Sequence, residues 1–217
     1  KVEYKMDNPN TKTNFKVVRD ETKPVTEVGS YVLNCDEKVK VITIGAGVEK
    51  VDPKAFYSCW ALREIRVDEN NPNYCDVDGV LYNKDKTVLI QYPAGNNGTS
   101  YIITDSVTSI GRIAFTDCSS LTSITIPGSV TSIGDGAFYD CTELQSIYIP
   151  DSVIKFGDYI FGGDNRNEQF TIECKRGSAA QRYAKENGFE YIATGHYVKN
   201  GVYDNQNVIL KADDSNT

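Results

Sequence analysis

The chain has 217 residues, a formal net charge of -7, 40% hydrophobic and 24% charged residues, six Cys and one His. A compact chain this long buries roughly 70% of its unfolded surface and needs no disulfides to fold; its acidic balance excludes a general nucleic-acid or anionic-membrane binder, whose affinity rests on clustered Lys and Arg. No apolar run approaches the roughly 20 residues that span a bilayer, and a start at Lys1 with no initiator Met or signal-peptide core reads as a processed or trimmed product, if the protein is secreted.

Residues 1–24 read as an N-terminal cap or hairpin, because Val2 to Met6 and the pair Phe15 and Val17 flank an Asn-Pro-Asn turn signal. From Val25 to Ile192 the chain repeats itself. A fixed period is the mark of a stacked architecture. A first, degenerate copy carries Val25, Val28, Leu33, Val39, Ile42 and Ile44, with Asp36 where later copies have Cys. The next starts at Ile44, with Val48, Val51, Ala55, Phe56, Cys59, Leu62, Ile65 and Val67 at the same internal positions. The copy from Ile103 follows 59 residues later, so a unit lengthened to 36 residues lies between them. Val107, Val130 and Val153 are then 23 apart, as are Phe115, Phe138 and Phe161. Cys118 and Cys141, Leu121 and Leu144, and Ile124 and Ile147 share that offset.

Within a copy, Leu-x-x-Ile-x-Ile alternates apolar and polar, as a strand with one buried face does. Val-x-x-Ile-Gly opens the return side, with Gly at a tight turn. Ala-Phe-x-x-Cys is too short for a long helix and reads as one helical turn or irregular arc that places an aromatic inside. A 23-residue unit cannot bury its own apolar face, whereas stacked copies cover one another. The spacing predicts a solenoid of parallel short strands.

The C-terminal end reads as a cap. Phe170 to Cys174 is a last strand, and Ser178-Ala-Ala-Gln181 is a capping-box pattern. With Ala179, Ala180, Tyr183 and Ala184 on one face and Gly188 after Asn187, this predicts a helix from Ser178 to Asn187. Phe189 to Ile192 returns as a strand. Residues 193–217 are a C-terminal extension or linker, in which Tyr197 to Tyr203 around Asn200-Gly201 predict a hairpin and Ala212 to Thr217 a disordered tail.

The string Ser-Val-Thr-Ser-Ile-Gly-x-x-Ala-Phe-x-x-Cys-x-x-Leu-x-x-Ile-x-Ile-Pro resembles the leucine-rich-repeat unit of BspA-like (treponema-type) bacterial surface proteins. The lengthened unit, with Asn70-Asn-Pro-Asn-Tyr, Asp78-Gly-Val-Leu-Tyr-Asn and Thr87-Val-Leu-Ile-Gln-Tyr-Pro93, is similar to the hairpin-bearing rung of that class. The resemblance covers about Val25 to Tyr191 and implies a right-handed leucine-rich-repeat stack. The end copies depart from it: Asp36 replaces one Cys, and in the last copy Ile160 replaces Ala and Asp164 replaces Cys.

Candidate chemistry is thin. The lone His196 has no nucleophile motif beside it and reads as a surface residue. No Cys-x-x-Cys pair exists, and Cys35, Cys59, Cys75, Cys118, Cys141 and Cys174 do not fit a zinc site. Cys59, Cys118 and Cys141 share one repeat position and read as a buried ladder of free thiols. Rungs about 4.8 Å apart also permit a Cys118–Cys141 bridge, so the redox compartment stays open. Asp68-Glu-Asn-Asn-Pro-Asn and Asp76-Val-Asp78 could ligate a hard cation but read better as solvated turns. Asn97-Gly-Thr99 matches a glycosylation acceptor, to which the bacterial resemblance gives little weight. Gly45-Ala-Gly47 is no dinucleotide fingerprint. No catalytic residue, metal or cofactor is expected.

The outward strand positions carry most promise: Val41 and Thr43, Glu64 and Arg66, Ser123 and Thr125, Ser146 and Tyr148, Gln169 and Thr171. They predict a shallow polar stripe whose binding candidates are Thr43, Glu64, Arg66, Ser123, Thr125, Ser146, Tyr148 and Thr171; ordinary solubilising positions are the competing reading. The long-rung hairpin, with Tyr82 and Tyr92, is a second expected surface. The resemblance implies a non-enzymatic adhesion or binding module at the cell surface or outside the cell, with an extracellular protein or glycan as partner. The alternative is an ancillary domain that targets a larger secreted enzyme to glycan or cell wall.

Overall fold

The computed structural model describes residues 39–162 and 170–194 with their side chains, together with the backbone of short strands at 27–28, 197–199, 202–204 and 210–211. The expected N-terminal hairpin, Cys35, Asp36, Asp164, Gln169, His196 and the tail from Ala212 lie outside the described residues. In chain order the strands are β1 (Glu27–Val28), β2 (Val41–Ile44), β3 (Lys50–Val51), β4 (Glu64–Val67), β5 (Tyr74–Val77), β6 (Val80–Asn83), β7 (Val88–Gln91), β8 (Ser100–Ile102), β9 (Ser109–Ile110) and β10 (Ser123–Thr125). They continue with β11 (Ser132–Ile133), β12 (Ser146–Ile149), β13 (Lys155–Phe156) and β14 (Thr171–Lys175). Helix α1 (Ala179–Glu186), β15 (Glu190–Thr194), β16 (Tyr197–Lys199), β17 (Val202–Asp204) and β18 (Leu210–Lys211) close the series. The product is a solenoid of about six turns with three sides per turn.

The first side is a wall of parallel strands. β2 pairs with β4, β8 with β10, and β12 with β14 and then β15. Alternation decides the facing, as the sequence requires: Ile42, Ile65, Ile124, Ile147 and Ile172 are buried. The second side is the return wall, where β7, β9, β11 and β13 pair in parallel. Its repeated glycine is not there for a left-handed turn. A Cβ on Gly111 would stand 2.8 Å from the Leu89 carbonyl, one on Gly134 2.6 Å from the Arg112 nitrogen, and one on Gly157 2.4 Å from the Asp135 nitrogen. The neighbouring rung's backbone passes where a side chain would begin, so close approach selects glycine.

The third side is an arc between the walls. Its left-handed positions recur: Ile113, Gly136 and Tyr159 have φ of 51°, 58° and 51°, and Asp117 and Asp140 have φ of 60° and 55°. These bends turn alternate amides toward the next rung. Ile113, Phe115 and Asp117 N–H donate to the carbonyls of Asp135, Ala137 and Tyr139, so the arc is a third inter-rung ladder. The first arc instead forms a 3-10 turn, Pro53–Phe56, with Pro at its start and Asp52 accepting from the Lys54 N–H at 2.8 Å.

The interior holds an aromatic file. Tyr92, Phe115, Phe138 and Phe161 stack face to face, with centroids 5.4, 5.2 and 5.5 Å apart. Tyr92 sits 23 residues before Phe115, in the Phe slot of the long rung. This corrects the expectation of an exposed hairpin aromatic surface: Tyr82 and Tyr92 are both buried. The hairpin β5–β6 does not project outward. Both faces of β6 are covered, with Leu81 packed among the N-terminal buried residues and Val80 and Tyr82 among the C-terminal ones. The inserted hairpin thus runs through the stack as a partition between two cores.

The C-terminal cap forms as the sequence predicts. Ser178 Oγ accepts from the Gln181 N–H at 3.2 Å, and Gln181 Oε1 reaches back to the Gly177 N–H at 2.7 Å. Tyr183 of α1 stacks on Phe156 at 4.7 Å and closes the end of the core. Strands β16 and β17 pair antiparallel with Lys199 opposite Val202, as expected, and β18 pairs antiparallel with β15. The thiol ladder needs one correction. Cys118 and Cys141 are free, as are Cys75 and Cys174, but Cys59 is disulfide-bonded. Its partner lies outside the described residues.

Candidate functional site

The outward face of the strand wall carries two rows, because residues two apart on a strand share a face. One row runs Val41–Glu64, Ser100–Ser123 and Ser146–Thr171–Glu190; the other runs Thr43–Arg66, Ile102–Thr125 and Tyr148–Glu173–Ile192. Thr43, Arg66, Ser123, Thr125 and Tyr148 are exposed, while Glu64, Ser146 and Thr171 are half-buried. All eight expected residues therefore lie on this wall. They do not form one unbroken stripe.

The break is the hairpin turn at Asp78-Gly79. Ile65 N–H donates to the Gly79 carbonyl at 2.8 Å, and a Cβ on Gly79 would stand 2.8 Å from Glu64 Cγ. The turn is seated on β4, so Thr43, Glu64 and Arg66 form a patch apart from the rest. Within that patch Arg66 forks onto Glu64, with Nε–Oε1 at 2.7 Å and Nη2–Oε2 at 3.1 Å. The larger patch lies on β8, β10, β12 and β14.

Thr171 is also shifted. A 23-residue period pairs Gln169 and Thr171 with Ser146 and Tyr148. In the structure Thr171 pairs with Ser146 and Glu173 with Tyr148. The segment after Gly162 is two residues longer than the repeat, and a two-residue slip keeps the same face.

Sequence reasoning missed the most exposed large hydrophobic residue of the larger patch. Ile102 is 72% exposed, beside Thr125 and in the row of Tyr148, which is 50% exposed. The run Tyr101-Ile102-Ile103 hides its phase, because three apolar residues in succession show no alternation. At the far rim Lys175 Nζ meets Asp151 Oδ2 at 2.6 Å, and that bond holds the Asp151 carboxyl below the usual range.

Other polar groups serve the fold. Asp76 accepts from the Val67 N–H at 2.7 Å. Asn71 is wholly buried, and its amide holds the Gly45 and Val48 carbonyls of the preceding rung at 2.8 and 3.0 Å. The acidic and amide segment is thus used on turns. Tyr82 and Tyr101 share a hydroxyl–hydroxyl bond inside the core, and burial pushes both phenols up. Among the described residues no group of three or more His, Cys, Asp or Glu could hold a metal ion, and no helix is long and apolar enough to cross a membrane. A shallow groove of about 320 Å³ lies between β13 and α1, lined by Ile154, Phe156, Arg182 and Tyr183 among others.

Comparison with known proteins gives a repeat family. A model of the BspA type leucine rich repeat region matches in six copies over residues 12–76 and 94–194. The unmatched stretch between them, residues 77–93, holds β6 and β7. Among solved structures, a leucine-rich repeat protein from Eubacterium ventriosum shares 34% identity at a TM-score of 0.61, covering 69% of this chain and 40% of that one. A leucine rich cell surface protein from Faecalibacterium prausnitzii shares 28% identity over 62% of this chain and 41% of that one, at a TM-score of 0.48. This chain therefore spans less than half the length of either relative. No curated protein matches it.

Proposed function

This chain belongs to the BspA-type leucine-rich-repeat family, and from that premise we propose that it is a non-catalytic binding module of a bacterial surface or secreted protein. Its partner is an extracellular protein or glycan, held on the outward face of the strand wall. One observation carries the reading: Ile102 and Tyr148 stand exposed at outward positions of neighbouring strand pairs, β8–β10 and β12–β14, near the hydroxyls of Ser123, Thr125 and Ser146. Solvation alone gives no reason for an isoleucine there. A rigid wall loses little freedom on binding, so many weak contacts can sum to useful affinity. The disulfide at Cys59 fits an oxidising compartment.

The test is binding of the purified chain to an array of host extracellular proteins and glycans, beside Ile102→Ser, Tyr148→Ala and Arg66→Ala variants. Loss of a hit in the first two, with retention in Arg66→Ala, supports the larger patch. A hit that survives all three moves the site off the wall. An array with no hits counts against a binding role for this segment.

A further inference from the structure

The only Trp of the chain is not in the core. Trp60 is 62% exposed. It occupies the arc slot held by Ser119 and Thr142 in later copies. The indole N–H donates to Asp117 Oδ2 at 3.2 Å, across 57 residues of sequence. The side chain therefore reaches past the arc of the long rung to the one beyond. That intervening arc is cut back to Ala94-Gly95, and a Cβ on Gly95 would stand 2.6 Å from the Trp60 carbonyl. The ring is tethered by its edge, which leaves aromatic surface open to solvent.

Two carboxylates stand at this place. Asp117 and Asp140 occupy the same slot of successive rungs, both in left-handed backbone. Burial pushes the Asp117 carboxyl up, the Asp140 charge pushes the same way, and the bond from Trp60 opposes both. Neither carboxylate meets a Lys or Arg of the described residues; the ion pairs there are Arg66–Glu64, Arg112–Asp135 and Lys175–Asp151. An open indole face next to two unneutralised carboxylates complements a flat cation.

We propose that Trp60, Asp117 and Asp140 form a second binding site, on the arc side of the solenoid, that takes an arginine side chain of a partner protein. The guanidinium stacks on the indole and turns its N–H groups to the carboxylates. A lysine ammonium would bring the charge without the flat stacking surface. A neutral sugar could stack on the ring but would leave the two carboxylates without a countercharge. This side is distinct from the strand wall, so failure of either reading leaves the other standing.

A single Trp makes the test direct, since the emission reports on this site alone. The full chain is titrated with acetyl-Gly-Arg-Gly-amide, with the neutral citrulline peptide and with chitotriose. The arginine peptide is expected to give a saturable emission change, about fivefold weaker with citrulline. Asp117→Asn keeps an acceptor for the indole while removing the charge, and Asp140→Asn removes a charge from an exposed position. Each is expected to weaken the arginine response by about two- to fivefold, with thermal unfolding as the check on folding. Equal response to both peptides, response to chitotriose alone, no response at all, or an undiminished response in the Asp140→Asn chain would overturn the proposal.

Discussion

The regular rungs from Ile103 to Phe161 and the long rung from Asn70 to Gly98 meet one packing requirement in two ways. In the regular rungs each copy covers the next with the same side chain, so Phe115, Phe138 and Phe161 stack in file. The long rung keeps the file through Tyr92, but it also threads β6 through the interior with Leu81 on one side and Tyr82 on the other. Repetition gives one continuous core; insertion divides it. Where the core divides, the strand wall outside is also interrupted, because the turn at Gly79 seats on β4.

The largest effect should come from the file. Phe138→Ala removes a ring stacked on both sides and is expected to cost about 3–5 kcal/mol, read as a lower denaturation midpoint. Leu81→Ala should cost about 2–4 kcal/mol, with a different distribution. Hydrogen exchange should accelerate in β2 and β4 and stay near the original rate in β9, β11 and β13. Equal acceleration on both sides would show that β6 does not separate the cores. Gly134→Ala comes next, at about 1–3 kcal/mol, because its Cβ meets backbone that cannot swing aside. Gly128→Ala, with nothing within 4 Å, is the control and should change stability by less than about 0.5 kcal/mol.

Much of this was legible in the chain. The 23-residue period placed Ile42, Ile65, Val107, Phe115 and Leu144 in the core, and the Ser178 to Gln181 pattern placed the cap, because those features are local or strictly repeated. Three things were not. Tyr92 reads as a hairpin residue because its Phe-like phase is obscured by the insertion before it. Thr171 lies two residues out of period, which only pairing with Ser146 reveals. Trp60 stands at a slot that the two most regular copies fill with Ser119 and Thr142, and that difference was its only signal; the bond to Asp117 depends on how far the long rung spreads its neighbours. The outward strand positions share this property. Core positions repeat because each rung presents the same hole, whereas outward positions face solvent and no packing holds them to a period.

The smallest effect is one of sign, and it separates the junction of the long rung from the regular end of the stack. Burial raises the Asp117 carboxyl in the folded chain, so the folded state holds that proton more tightly than the unfolded state. The stability linked to it is present below the ordinary carboxylate value and is lost as pH rises through the raised folded value. Asp151 behaves in the opposite way. Lys175 lowers its carboxyl, so its contribution is present above the ordinary value and is lost as pH falls through the lowered one. Asp117→Asn should therefore match or exceed the parent in thermal midpoint at neutral pH and converge with it in acid. Asp151→Asn should fall slightly below the parent at neutral pH and also converge in acid. Parallel shifts of both variants at every pH would mean that the carboxylate beside Trp60 is no more buried than the one at the solvent-facing end.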